Sequence, residues 1–182
     1  MKATVLLSQQ HKEVLALFKK LEANDDKTKQ KKLFVELAAN LVAHDVIERE
    51  IFYPGCEKQM GLLPILGESL VEPGLIEFSL YGCEQALGKK EFEFKIKALQ
   101  DVLEHHIAEE QDELFPKVHE KVEALGAEMK ARFDEIVRED YRLRLHESLS
   151  QVLRGALKTG NPSPKVASKT TNGSKHAARP PA

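Results

Sequence analysis

The sequence predicts an all-α fold, an up-down four-helix bundle with an additional C-terminal amphipathic helix and a disordered tail. Three features carry this expectation. Apolar residues recur at helical spacing through most of the 182 residues. No alternation of apolar and polar residues lasts long enough to make a strand. From Gly160 onward there are four prolines but no Leu, Ile, Phe, Asp or Glu, a composition that cannot bury enough apolar surface to offset its ordering entropy.

The first helix is expected over about residues 4–23, with Leu7, His11, Val14, Leu15, Phe18 and Leu21 along one stripe. Asn24-Asp25-Asp26 is polar and turn-forming. A second helix, about 28–58, turns Leu33, Leu37, Leu41, His44, Ile47, Glu48 and Ile51 inward. Pro54 should end or kink it, because proline has no amide proton and disfavours a helical residue before it. The third segment, about 64–88, is broken at Pro73-Gly74, so its helix is expected over about 74–87. A fourth, about 91–120, places Ile96, Leu99, Val102, Leu103, His106, Glu110 and Leu114 inward.

A fifth helix, about 125–157, is amphipathic through Met129, Phe133, Ile136, Val137, Leu143, Leu145, Leu149 and Leu153, and should pack outside the bundle. The organisation is then one domain over residues 1–158, its metal-site portion about 4–120, followed by a tail over 159–182. The tail carries Lys165, Lys169, Lys175 and Arg179, which solvent can satisfy.

Composition narrows the function. With 31% charged and 42% apolar residues the chain reads as an ordinary soluble globular protein. A net charge of −2 gives no reason to expect nucleic acid or an anionic membrane as partner. The start of the chain lacks a signal-peptide core and no apolar run spans a membrane, so the cytoplasm is expected. Cys56 and Cys83 fit no zinc spacing and are expected as free thiols. No Gly-rich phosphate loop or nucleophile motif occurs, and no catalytic residue is assigned.

Two near-copies of one phrase point to metal. His44-Asp45-Val46-Ile47-Glu48-Arg49-Glu50-Ile51-Phe52-Tyr53-Pro54 recurs as His106-Ile107-Ala108-Glu109-Glu110-Gln111-Asp112-Glu113-Leu114-Phe115-Pro116. Each has a histidine, a glutamate four residues on, and an aromatic-proline pair ending six residues after that glutamate. On a helix, positions i and i+4 share a face, so an imidazole and a carboxylate are presented together. That donor pair suits iron, zinc or manganese.

Single residues have plainer explanations. His11, flanked by Leu7, Val14, Leu15 and Phe18, is alone a hydrogen-bonded core histidine. One His-Glu couple is alone an ion pair. Repetition favours a shared site of His11, His44, Glu48, His106 and Glu110, because a buried glutamate needs a cation or a partner. His105, between Asp101 and Glu109, should face solvent, as should His119, His146 and His176.

These residues resemble the hemerythrin-like, HHE cation-binding family over about residues 4–120. The resemblance rests on His11, on His44-x-x-x-Glu48 and His106-x-x-x-Glu110, and on the Glu50-to-Pro54 and Glu113-to-Pro116 endings. It implies an up-down four-helix bundle around a non-haem iron pair. Glu48 and Glu110 would bridge, with His11 and His44 on one iron and His106 on the other. The implied roles are dioxygen carriage or sensing, nitric oxide and peroxide handling, and iron sensing or storage.

Two positions depart from the family. Gln10 stands where an acid usually precedes the first histidine, and Glu77-Phe78 occupies the place of a third-helix Glu-His pair. Gly74 and Gly82 supply no side chain to ligate. The expectation is a reduced iron site, one iron or a weakly held pair, completed by Tyr81, Glu77 or solvent, with the Phe78 ring where a ligand would stand. Zinc or manganese could take its place. The alternative is a regulatory or protein-interaction bundle with a degenerate site. A ferritin-like di-iron oxidase is disfavoured, since no histidine has a glutamate three residues before it.

Overall fold

A computed structural model describes residues 1–61, 63–69 and 71–158. The expected tail over 159–182, with His176, lies outside the described residues. The helices are α1 (Ala3–Glu22), α2 (Lys27–Ile47), α3 (Tyr53–Met60), α4 (Pro64–Ser69), α5 (Glu72–Ala86), α6 (Phe92–Glu109), α7 (Glu120–Glu123), α8 (Gly126–Ile136) and α9 (Tyr141–Lys158). Two π-helical turns, Glu48–Phe52 and Glu110–Leu114, follow α2 and α6, the second leading into a 3₁₀ turn at Phe115–Lys117. No strand occurs among the described residues.

The four-helix bundle is built from α1, α2, α5 and α6, each packed on its neighbours around the ring. Its starts and stops follow from local chemistry. Asp26 Oδ1 accepts the amides of Thr28 (2.8 Å) and Lys29 (3.2 Å), so the predicted turn also caps α2. No side chain of its own caps α1; instead Glu123 of α7 accepts from Thr4 N (3.1 Å) and Thr4 Oγ1 (2.7 Å) at that positive end. Gly88, at φ 80°, takes the left-handed backbone that lets the chain turn from α5 towards α6.

Pro54, expected to end or kink the helix, does not end it. The helix widens into the π-turn and continues as α3, with Pro54 in its first turn. Tyr53 N–H bonds Glu48 O five residues back, and Phe115 N–H bonds Glu110 O in the same way. A wider turn accommodates a proline ring that would otherwise clash with the carbonyl four residues earlier. Pro116 does close its helix, after one 3₁₀ turn.

The expected fifth helix is two. Asp140 Oδ1 accepts from Arg142 N (3.1 Å) and starts α9 afresh after Val137–Asp140. The interruption resets the helical phase, which is why Leu143, expected inside, is 71% exposed while Leu145 is buried. Both helices do pack outside the bundle, α8 over α1 and α2, and α9 over α2 and α5. α2 is thereby enclosed, and every residue from Leu41 to Glu48 is buried.

The core falls into two apolar clusters. One holds Phe18, Phe34, Leu80, Phe92, Leu99 and Leu103. The other holds Leu7, Ile47, Phe52, Leu66, Leu114 and Met129. Between them, on α1, α2 and α6, lies a layer of buried polar residues that includes His11, His44, Glu48, His106 and Glu110. Cys56 and Cys83 are free and buried in the core.

Candidate metal centre

All five sequence-selected residues are buried, and their side chains converge in this layer. His11 Nε2 lies 3.1 Å from His44 Nε2 and 3.3 Å from Glu110 Oε2. His44 Nε2 is 2.9 Å from Glu48 Oε1. His106 Nε2 stands 3.8 Å from both Glu48 Oε2 and Glu110 Oε2. One donor atom each from His11, His44, Glu48 and Glu110 lies within 4.8 Å of the others. Donors around an ion with bonds of about 2.1 Å sit about 3 Å apart, so the spacing fits coordination.

The outer nitrogens explain why the inner ones converge. His44 Nδ1 donates to Gln10 Oε1 at 2.9 Å, and His106 Nδ1 donates to Glu72 Oε2 at 2.8 Å. The Gln111 side-chain amide sits 3.1 Å from His11 Nδ1. With Nδ1 committed outward as a donor, neutral His44 presents its Nε2 lone pair inward, the usual support for a ligating histidine. The Gln111 amide instead donates to His11 Nδ1, so neutral His11 carries its proton on Nε2 until a cation displaces it. Glu48 Oε1 and Glu110 Oε2 are shielded from solvent and have no hydrogen-bond partner. Lone pairs facing one another in a dry pocket are costly unless a cation or proton lies between them.

Protons take up part of that role. Burial, helped by the charge of His44, lowers His11 to about 3, so it is neutral. Burial disfavours ionised Glu48, yet the imidazoles of His44 and His106 hold it well below the usual carboxylate range. Glu110 is pushed well above that range by burial and by the Glu48 charge. Burial would lower His106, but the Glu48 carboxylate 3.8 Å away, its hydrogen bond to Glu72 and the Glu110 charge push it up to about 11.

The aromatic-proline endings face the same layer. Tyr53 Oη donates to Glu110 Oε1 at 3.0 Å. Phe115 stacks on His11, with ring centroids 6.0 Å apart and 6° between planes, and meets Phe52 edge-on at 5.8 Å.

The third bundle helix departs from expectation. Phe78 does not occupy a ligand position; it lies on the outer face of α5, 68% exposed. Tyr81 packs on His146 with centroids 5.5 Å apart. Glu77 is buried, but its oxygens accept from Arg49 Nη2 (3.0 Å) and Ser148 Oγ (2.7 Å). Arg49 also pairs with Asp45, so this second charged cluster ties α2 to α5 and α9. Burial pushes Asp45 well above its ordinary range, with Arg49 opposing and Glu77 adding to the shift. The reach of α5 to the centre is through Glu72, in its first turn, which holds the outer nitrogen of His106. His105, His119 and His146 are exposed as expected.

Residues 2–118 match the Hemerythrin HHE cation binding domain. The chain belongs to the hemerythrin HHE cation-binding family. A solved structure of a hemerythrin HHE cation binding domain-containing protein from Mycobacterium kansasii shares the fold, with a TM-score of 0.69 at 23% identity. That similarity covers 82% of this chain and 99% of the other. No curated protein matches the chain in sequence. The hemerythrin-like bundle thus carries a His/Glu cluster with the donors and spacing of a metal site. No helix among the described residues is long and apolar enough to cross a membrane.

Proposed function

We propose that this hemerythrin-like protein binds non-haem iron through His11, His44, Glu48 and Glu110, in a site reduced relative to a full iron pair. The observation that carries this reading is the inward convergence of Nε2 and carboxylate atoms, with two carboxylate oxygens left without hydrogen bonds. Mixed nitrogen and oxygen donors suit iron(II), and zinc or manganese are accepted by the same set. His106, 3.8 Å from the second oxygen of Glu48, is positioned to support a second, weaker ion shared through the two glutamates.

Iron held by four protein donors keeps coordination positions open for dioxygen, peroxide or nitric oxide. The chain's own groups shape what happens beside it. Tyr53 offers a proton donor on Glu110, Phe115 and Phe52 keep the layer dry, and His106 carries a proton until a cation displaces it. Handling of one of these small ligands, or iron sensing, in a cytoplasmic setting follows from this reading.

Metal analysis of the purified protein, with optical spectra and melting temperature, is the test. One or two irons per chain and a metal-dependent rise in melting temperature support it. Absence of bound iron, zinc or manganese after expression in supplemented medium removes it. A second reading, an interaction bundle, is favoured by the apolar stripe of Val71, Leu75 and Phe78, exposed by 67%, 56% and 68% on one side of the fold. It gains if His44→Ala leaves the cellular phenotype unchanged.

A further inference from the structure

The residue before each inner member of the α6 couple is itself a metal-ligating type. His105 and Glu109 are one position back from His106 and Glu110, so they stack one above the other on the outward face. His105 Nε2 lies 3.2 Å from Glu109 Oε1 and 3.7 Å from Glu72 Oε1. One ligand atom from each of the three residues lies within 4.8 Å of the others. They open onto a surface cleft of about 500 Å³ that Glu68 also lines, and no Lys or Arg among the described residues lines it.

A lone exposed i,i+4 couple would be an ordinary helix-surface pair of little energetic weight. Two further observations set this one apart. The third donor arrives from a different helix, α5. Glu109 Oε2 is shielded from solvent and has no hydrogen-bond partner, although its cleft is open. Glu72 moreover serves both sides, its Oε2 on His106 Nδ1 at 2.8 Å and its Oε1 turned toward His105.

We propose that Glu72, His105 and Glu109 form a second, solvent-facing divalent cation site, joined to the buried centre by the Glu72 carboxylate. One imidazole with two carboxylates suits a borderline divalent ion such as Zn²⁺, Mn²⁺ or Fe²⁺. Three protein donors leave the remaining positions to water, so the ion there exchanges readily. The site stands on its own residues and does not require the buried centre to be filled.

The test is equilibrium dialysis of the full chain against Zn²⁺, with zinc counted per chain. Wild type is compared with the double variant His105→Ala, Glu109→Gln, whose first position is 66% exposed by side chain and tolerates change. The wild type is expected to bind one more equivalent than the double variant, and His44→Ala to keep that equivalent. Equal stoichiometry and affinity in wild type and double variant overturn the proposal. Because His44→Ala removes a buried group, a second readout is histidine nuclear magnetic resonance of wild type during Zn²⁺ titration. Perturbation of the His105 ring supports the site, and an unmoved His105 resonance at saturation overturns it.

Discussion

The Tyr53 hydroxyl donates to Glu110 Oε1 at 3.0 Å, so the aromatic residue that ends the first sequence repeat holds the glutamate of the second. Phe115, the matching residue of the second repeat, lies flat against His11. The two endings therefore brace the metal layer from opposite helices, and each is delivered there just beyond a π-turn. A π-turn at a functional site is a common way to aim a side chain that a regular helix would point elsewhere.

Tyr53→Phe should keep the helical fold but weaken metal binding about 10–100-fold, the usual cost of losing an outer partner of a ligand. Competition with a chromophoric chelator would measure it. Unchanged affinity would reduce Tyr53 to a packing role.

His106 sets a pH dependence whose sign can be worked out. Its pKa is raised from the ordinary histidine value of 6.5 to about 11 in the metal-free fold, so its proton stabilises that fold fully below the unfolded value. That contribution fades as pH rises from 6.5 towards about 11. A cation must displace the same proton, so metal affinity should rise with pH while metal-free stability falls. Urea unfolding of metal-free wild type and His106→Gln across this range should show a shallower fall in the variant. Parallel curves would contradict the assignment.

Arg49 compensates both Asp45 and Glu77, each buried. Arg49→Ala leaves two carboxylates facing one another and should destabilise the protein by about 3 kcal/mol. The lower end of the range applies because the Arg49 side chain is 35% exposed. Denaturant unfolding checks this, and a loss below about 1 kcal/mol would mean that solvent already screens the cluster.

Gly126 opens α8 against the start of the chain. A Cβ there would lie 2.3 Å from Met1 O, 2.7 Å from Lys2 C and 2.8 Å from Ala3 N. Alanine gains about 1 kcal/mol of helix propensity over glycine. Backbone atoms cannot swing aside as a side chain can, so overpacking of about 1–3 kcal/mol wins. Gly126→Ala should lower the melting temperature, and a rise would show that the first residues move away at little cost.

The helical periodicity and the doubled His-Glu phrase made the bundle and the five inner residues readable, because both depend only on spacing along one helix. What crosses between helices was not readable. Gln10 precedes His11 in sequence yet serves His44 on another helix, and Glu72 meets His106 across 34 positions. Such pairs depend on how helices are rotated about their axes. The same rotation turned Glu77 inward and Phe78 outward on α5, where sequence placement alone treated the two as one position. The π-turns had a signal, an aromatic-proline pair in a segment whose apolar pattern did not stop.

Neighbouring positions on α6 hold duplicate chemistry: His105 with Glu109 outside, His106 with Glu110 within. Only the seating of Leu99, Leu103 and Ile107 in the core decides which duplicate is inward. Inserting a single amino acid between Leu103 and His105 would therefore trade one couple for the other, leaving composition and motif count almost untouched, whereas a deletion would bring Ile107 and Gln111 inward and leave neither couple there. In this helix, frame matters more than content.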